Sequence, residues 1–191
     1  LADLQGPKLR IGDVKEGTEL KDGEEILITT KDCEGSEEKI CLNYKQFPQD
    51  INPGEKVLID DGKIVLEVEE TDKKENVKAR IISGGPLSSR KGFNLPNTKL
   101  SLPCLTKKDR EDLDFILQHN VSWVGLSFVR SPEDVLELKG LIEKSGHMAK
   151  VVAKIEKPEA VSQIDAIIDA TDAVMVARGD LGVEIPMQDV P

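Results

Sequence analysis

Residues 151–159 read VVAKIEKPE. Val151, Val152 and Ala153 run without alternation into Lys154, Ile155 and Glu156, and a Lys157–Pro158 step then ends the segment. An unbroken apolar run suits a strand covered on both faces, as in parallel sheets flanked by helices. Folds of that kind bind ligands at the carboxyl ends of their strands. Lys154 and Glu156 stand at such an end, and residues two apart on a strand leave the same face. A buried charge needs a partner. The position therefore calls for a strand-end salt bridge at the least, and for a metal ion with an anionic substrate at the most.

The same grammar continues on both sides. Thr106 caps a predicted helix with Leu113, Ile116 and Leu117 at helical spacing. Trp123 to Phe128 is a short apolar strand. Ser131-Pro132-Glu133-Asp134 supplies a cap, a proline at the first helical position and acids in the first turn, and Val135, Leu138, Leu141 and Ile142 carry the helix on. Pro158 to Ala170 predicts one helix, and Ala173 to Val176 one more strand covered on both faces. This β-α-β-α-β pattern implies right-handed crossovers and a parallel sheet. A (β/α)8 barrel and an open doubly wound sheet both satisfy it. Three βα units and a strand stub at Leu1-Ala2-Asp3 do not close a barrel, so in that case strands are expected before residue 1 and after residue 191. The missing initial Met and the ending on Pro191 point the same way, to a piece of something longer.

Upstream of about residue 103 the style differs. ELKDGEEILITT, GEKVLIDDGKIVLEVEE and NVKARIISGG read as strands, with hairpin turns at DDG (60–62) and TDKKEN (71–76). Lys63 to Glu69 alternates imperfectly with the strand period of two. A small all-β module is expected, a barrel or a sandwich.

With 191 residues, 38% of them hydrophobic, the chain can bury a core in one domain or two small ones. A net charge of −10 argues against sequence-blind binding to nucleic acid or to an anionic membrane surface. No apolar run approaches a membrane span and nothing resembles a signal peptide. Cys33, Cys41 and Cys104 are odd in number and lack a C-x-x-C spacing, which suggests neither a disulfide framework nor a zinc site and fits a reducing, cytoplasmic setting. His119 and His147 are isolated from any such cluster.

A second strand end adds chemistry to the first. Residues 175–186 read MVARGDLGVEIP, in which apolar residues lead into Ala177-Arg178-Gly179-Asp180. Asp180 is a second carboxylate at the same rim, one strand further on. Together with Glu156 it could hold Mg²⁺, which favours one or two carboxylates with the remainder from substrate and water. A short helix starting near Gly179 would point free N–H groups at the same place. Such parts suit charge developing on an oxygen. Enolate formation, carbon–carbon cleavage and phosphoryl transfer all remain open at this point, as does a non-catalytic ligand-binding module.

The segments DLQGPKLRIG (3–12), RKGFNLP (90–96), GLSFVRS (125–131), AKIEKPE (153–159) and VARGDLGVEIP (176–186) together resemble the pyruvate kinase family, in its order and spacing and over nearly the whole chain. The resemblance implies a partial (β/α)8 TIM barrel with an inserted all-β lid. Residues 1–6 would end one barrel strand, residues 7–102 form the lid, and residues 103–191 continue the barrel. It implies phosphoryl transfer from phosphoenolpyruvate to ADP, giving pyruvate and ATP, with Mg²⁺ or Mn²⁺, in a cytoplasmic homotetramer whose lid closes over the nucleotide.

By position in those motifs, Lys154 matches the lysine that stabilises the enolate and the transferring phosphoryl group, and Glu156 and Asp180 match the metal ligands. Ala177, Arg178 and Gly179 match the turn whose amides hold the substrate carboxylate, and Phe128 an aromatic in the site wall. Arg10 and Lys91 match nucleotide-phosphate contacts, and Asp61 a lid acid near the nucleotide. Read without the family, Arg10 and Lys91 are equally solvated loop charges and Phe128 is core.

The sequence departs from the family in one place. Asp3 matches a ligand of the K⁺ that many members require, but Lys8 stands where those members carry Glu, and Leu4 where they carry Thr. A tethered ammonium can supply the charge of a bound K⁺, so K⁺ independence is expected. The plain alternative is a surface Lys8 paired with an acid such as Asp13. Segments that the family uses for nucleotide, for substrate and for regulation are absent from these residues, so the 191-residue piece by itself is expected to turn over little and to associate through its open edges.

Overall fold

The computed structural model describes residues 1–190. The chain divides into two compact units, one of Leu1–Pro7 with Leu102 onward and one of Lys8–Ser101. In chain order it opens with β1 (Ala2–Leu4) of the first unit. The second unit then contributes β2 (Glu19–Leu20), β3 (Glu25–Thr29), β4 (Lys39–Cys41), α1 (Phe47–Asp50), β5 (Lys56–Ile59), β6 (Ile64–Thr71), β7 (Asn76–Ser83), β8 (Gly85–Pro86) and β9 (Phe93–Asn94). The first unit resumes with α2 (Lys107–Ile116), β10 (Trp123–Leu126), α3 (Pro132–Lys144), β11 (Lys150–Ile155), α4 (Pro158–Ser162), α5 (Ile164–Ala170), β12 (Ala173–Val176) and α6 (Arg178–Glu184).

In the α/β unit the sheet order is β1-β10-β11-β12, every pair parallel. The order follows the chain without reversing. With right-handed crossovers that puts all the connecting helices on one face, the singly wound arrangement of a barrel wall rather than the doubly wound one. Burial agrees. Leu4, Val124, Leu126, Val151, Ala153 and Ile155 share one core with Leu113 of α2, Val135, Leu138 and Ile142 of α3, and Ile167 of α5. Each fully buried aliphatic side chain contributes about 1.5–3 kcal/mol. The strand residues between them, Asp3, Gly125, Val152 and Lys154, belong to the opposite face. That face carries the site.

Helix starts follow the local chemistry. Thr106 Oγ1 accepts the Asp109 N–H at 3.1 Å while the Asp109 carboxylate accepts the Thr106 N–H at 2.9 Å, a reciprocal capping box. Asp109 also accepts the Gly6 N–H at 3.0 Å, tying α2 to the end of β1. Two expectations need correction. Pro158 to Ala170 is not one helix: Gln163, at φ −117° and ψ 22°, leaves helical geometry and divides α4 from α5. β12 is not covered on both faces: Val174, Met175 and Val176 are exposed, because β12 is the outermost strand of this sheet among the described residues.

The second unit is the all-β module. Its six-stranded sheet runs β4-β3-β7-β6-β5-β9, antiparallel except for β3 with β4. Single bridges from Arg10 to Gly92 and from Ile11 to Leu42 join the segment before β9 to the segment after β4. They close the sheet on itself, so the module is a barrel rather than a sandwich. Ile64, Leu66 and Val68 of β6 point inward, and register shifts at Val65/Leu66 and Val68/Glu70 account for the imperfect alternation. ELKDGEEILITT is two strands, broken by a turn at Gly23 (φ +81°).

Candidate active site

Lys154 lies one residue before the end of β11, on the face away from the helices. Its ammonium has three N–H donors, and three acceptors surround it: Asp3 Oδ2 at 3.1 Å, Ser127 Oγ at 2.9 Å and Glu156 Oε1 at 3.1 Å. The side chain is only 16% exposed. Burial pulls the ammonium pKa down, but Glu156 and Asp3 outweigh that and hold it above the ordinary lysine value. Lys154 is therefore a fixed, permanently charged cation at neutral pH.

Each acceptor has a structural reason to be there. Asp3 sits opposite Gly125 in the β1–β10 register, and a Cβ at Gly125 would come within 2.7 Å of Asp3 Oδ1. Only glycine leaves room for that carboxylate. Ser127 directly follows β10 and is buried. Glu156 directly follows β11 and is also buried, with Oε2 accepting the Phe128 N–H at 2.9 Å. Phe128 pays for this in backbone strain: its φ is +57°, an outlier for a bulky residue. Gly6 accommodates its ring, since a Cβ there would meet Phe128 Cδ2 at 2.8 Å. Phe128 thus joins the site through its main chain as well as through its ring.

Asp180 stands exposed in the first turn of α6, which begins at Arg178, one residue earlier than expected. The turn before it is anchored: the Ala177 N–H donates to the Ile155 carbonyl at 3.2 Å, next to Glu156. Arg178 and Gly179 are exposed as well. No hydrogen bond or ion pair among the described residues joins Asp180 to Lys154 or Glu156. The structure therefore brings Asp3, Phe128, Lys154 and Glu156 into direct contact and carries Ala177 to Asp180 on the neighbouring turn. Sequence reasoning missed Ser127. The available signal was a lone hydroxyl within the expected strand Trp123 to Phe128, which in the structure ends at Leu126.

In the β module, Arg10 and Lys91 are brought together. The Ile11 N–H donates to the Lys91 carbonyl at 3.1 Å, and Arg10 Nη1 donates to the Arg90 carbonyl at 2.7 Å. Lys91 pairs with Asp60 at 3.0 Å. Lys63 holds the other Asp60 oxygen at 2.8 Å, and the two lysines depress the Asp60 pKa. Asp61 is exposed in the same left-handed turn (φ +57°). Lys8 is exposed and does not pair with Asp13, whose carboxylate is taken by Arg90 at 3.0 Å.

The family model described as "Pyruvate kinase, barrel domain" matches residues 1–191. The chain is 47% identical to the pyruvate kinase of Mycobacterium intracellulare over 192 aligned residues, covering 100% of this chain and 40% of that protein. It is 46% identical to the pyruvate kinase of Corynebacterium efficiens (100% and 40%), and 45% identical to that of Thermotoga maritima (100% and 41%). The chain thus spans about 40% of the length of these curated relatives. Its four parallel strands in chain order are part of a TIM barrel. A lysine cradled by three acceptors at the strand ends, and a match over every residue, lead to one conclusion: this chain belongs to the pyruvate kinase family.

Proposed function

We propose that the protein to which this chain belongs transfers the phosphoryl group of phosphoenolpyruvate to ADP, giving pyruvate and ATP. The observation that carries this reading is the Lys154 ammonium, held by Asp3, Ser127 and Glu156 where a parallel sheet presents ligands. Two hydrogen bonds and an ion pair hold the ammonium, so a substrate oxygen would compete with one of these acceptors. Asp3 is the candidate, with 54% of its side chain exposed against 3% for Glu156. Once exchanged, the ammonium faces the bridging oxygen of the substrate and stabilises the negative charge left there as the phosphoryl group departs. The enolate then takes up a proton to become pyruvate.

The donor set fits Mg²⁺ or Mn²⁺. Glu156 and Asp180 offer carboxylate oxygens only. No group of three or more His, Cys, Asp or Glu side chains gathers anywhere among the described residues, this site included, so the protein would supply two carboxylates here and no more. One or two carboxylates is what a hard divalent ion takes from protein when substrate and water complete its shell. When bound, the ion would neutralise phosphoryl and carboxylate charge beside Lys154. Ala177, Arg178 and Gly179 would offer backbone amides to the substrate carboxylate, and Phe128 would line the wall. Arg10 and Lys91 would contact nucleotide phosphates, with Asp61 nearby. Lys8 supports K⁺ independence, with Asp3 then serving the lysine rather than a monovalent cation. A cytoplasmic homotetramer acting in glycolysis completes the reading. No helix among the described residues is long and apolar enough to cross a membrane.

The test is an assay of the full-length protein. Pyruvate should form only with ADP and a divalent cation both present, and at the same rate with and without K⁺. Pyruvate formation that ignores ADP would sink the phosphotransfer reading, and strong K⁺ activation would sink the role of Lys8.

A further inference from the structure

Outside the lysine cradle, the α/β unit buries a second ion pair. Lys157 Nζ lies 2.9 Å from Glu184 Oε1, with side chains 6% and 2% exposed. Taking both charges out of water is costly, and an apolar pair of similar volume often packs with equal or greater stability. Stability is therefore a poor reason for this pair, and its location suggests a better one. Lys157 immediately follows Glu156 and is the residue from which α4 starts. Glu184 is the last residue of α6, about one turn after Asp180. The pair thus ties together the two segments that carry the two acids.

α6 has only seven residues. A helix that short has little stability of its own, so contacts along it set its tilt. At its start the Ala177 N–H is tied to the Ile155 carbonyl. In its middle Leu181 enters the core. At its end Glu184, three residues after Leu181 and so on the same face, is held by Lys157. Asp180 precedes Leu181 by one residue and therefore turns with whatever fixes that face.

We infer that the buried Lys157–Glu184 pair is a positioning device that sets the placement of Asp180 relative to Glu156, and through it the affinity for the divalent cation. The inference rests on the reading of those two acids as metal ligands. Residues that orient ligands from outside the coordination shell typically contribute about 10- to 100-fold in metal affinity, and that is the effect expected here.

The experiment titrates Mn²⁺ into the full-length protein without substrates and follows the free ion by electron paramagnetic resonance. Thermal unfolding in chelator is recorded alongside. Lys157→Met and Glu184→Gln should each weaken Mn²⁺ binding about 10- to 100-fold. The double variant Lys157→Met/Glu184→Leu removes both charges of the pair together and guards against simple misfolding. It should unfold at a temperature close to that of the unsubstituted protein and still bind Mn²⁺ about 10- to 100-fold more weakly. Unchanged Mn²⁺ affinity in the folded double variant overturns the inference. Glu156→Gln separates the two levels. If it abolishes Mn²⁺ binding while the pair variants bind normally, only the positioning role fails. If it binds Mn²⁺ like the unsubstituted protein, the metal reading fails and the positioning role with it.

Discussion

Both units carry exposed ion pairs, Lys107–Glu111 and Lys108–Asp112 in the α/β unit among them, but the most buried pairs among the described residues all belong to the α/β unit. In the β module the pairs lie nearer the surface: Lys31–Glu75 has side chains 67% and 46% exposed, Arg90–Asp13 76% and 66%, and Lys91–Asp60 37% and 19%. In the α/β unit Lys154–Glu156 is 16% and 3% exposed, and Lys157–Glu184 is 6% and 2%. Exposed pairs gain little, because water and salt screen them and long side chains lose freedom in forming them. Buried pairs carry a desolvation cost that stability alone does not repay. Charge held inside against its solvation preference gathers at the strand ends of the α/β unit.

The largest effect is expected from Lys154→Met in the full-length protein, which removes the buried cation itself. Turnover should fall by at least about 10²- to 10³-fold, the size of loss seen when one transition-state charge stabiliser is removed. Divalent-dependent binding of phosphoenolpyruvate should survive, as read by ligand quenching or calorimetry. Equal loss of both would make the lysine a binding group and nothing more. Gly125→Ala comes next. The new methyl group displaces the Asp3 carboxylate from its seat, and the lysine loses its exposed partner. Misplacement on this scale costs up to about 10²-fold in turnover. Wild-type kinetics would show that Asp3 has no part in aligning Lys154.

A smaller effect tests whether the module has any interior polar group of consequence. Tyr44 is buried and donates to Asp50, which also accepts the Ser101 N–H at 2.8 Å and Oγ at 3.0 Å. Burial, reinforced by the Asp50 carboxylate, pushes the phenol up to about 12. The unfolded chain releases that proton near pH 10, so the folded state is the better proton binder in between. Stability should therefore be flat below pH 10 and fall as pH rises toward about 12. Tyr44→Phe should remove that component from the pH dependence of denaturation. An identical alkaline profile in the variant would refute the assignment. The smallest effect belongs to Lys31→Ala, which should leave the denaturation midpoint where it was. A clear drop would mean that the surface pairs matter more than their exposure allows.

The backbone plan was legible in the sequence because periodicity and capping are local. The K-x-E spacing placed Lys154 and Glu156 on one face, and they meet at 3.1 Å. Partners set by tertiary packing were not legible. Nothing in MVARGDLGVEIP says that Glu184 reaches Lys157. Nothing in DDG says that Asp60 meets Lys91. The break at Gln163 escaped notice because both halves of Pro158 to Ala170 are helical in composition. The exposure of β12 escaped it because an apolar strand reads alike whether or not neighbours cover it.

The hydrogen bond from the Phe128 peptide to Glu156 has a practical consequence for anyone mapping this site by mutagenesis. Its donor is main chain, so alanine, leucine or tyrosine at position 128 would all retain it, and a survey of side-chain replacements would score the position by its ring alone. Proline deletes the donor but also forbids the left-handed dihedral, confounding two losses. Exchanging that single amide for an ester by semisynthesis would remove the hydrogen and little else, and would weigh the peptide's share in holding Glu156 apart from the ring's share in shaping the wall.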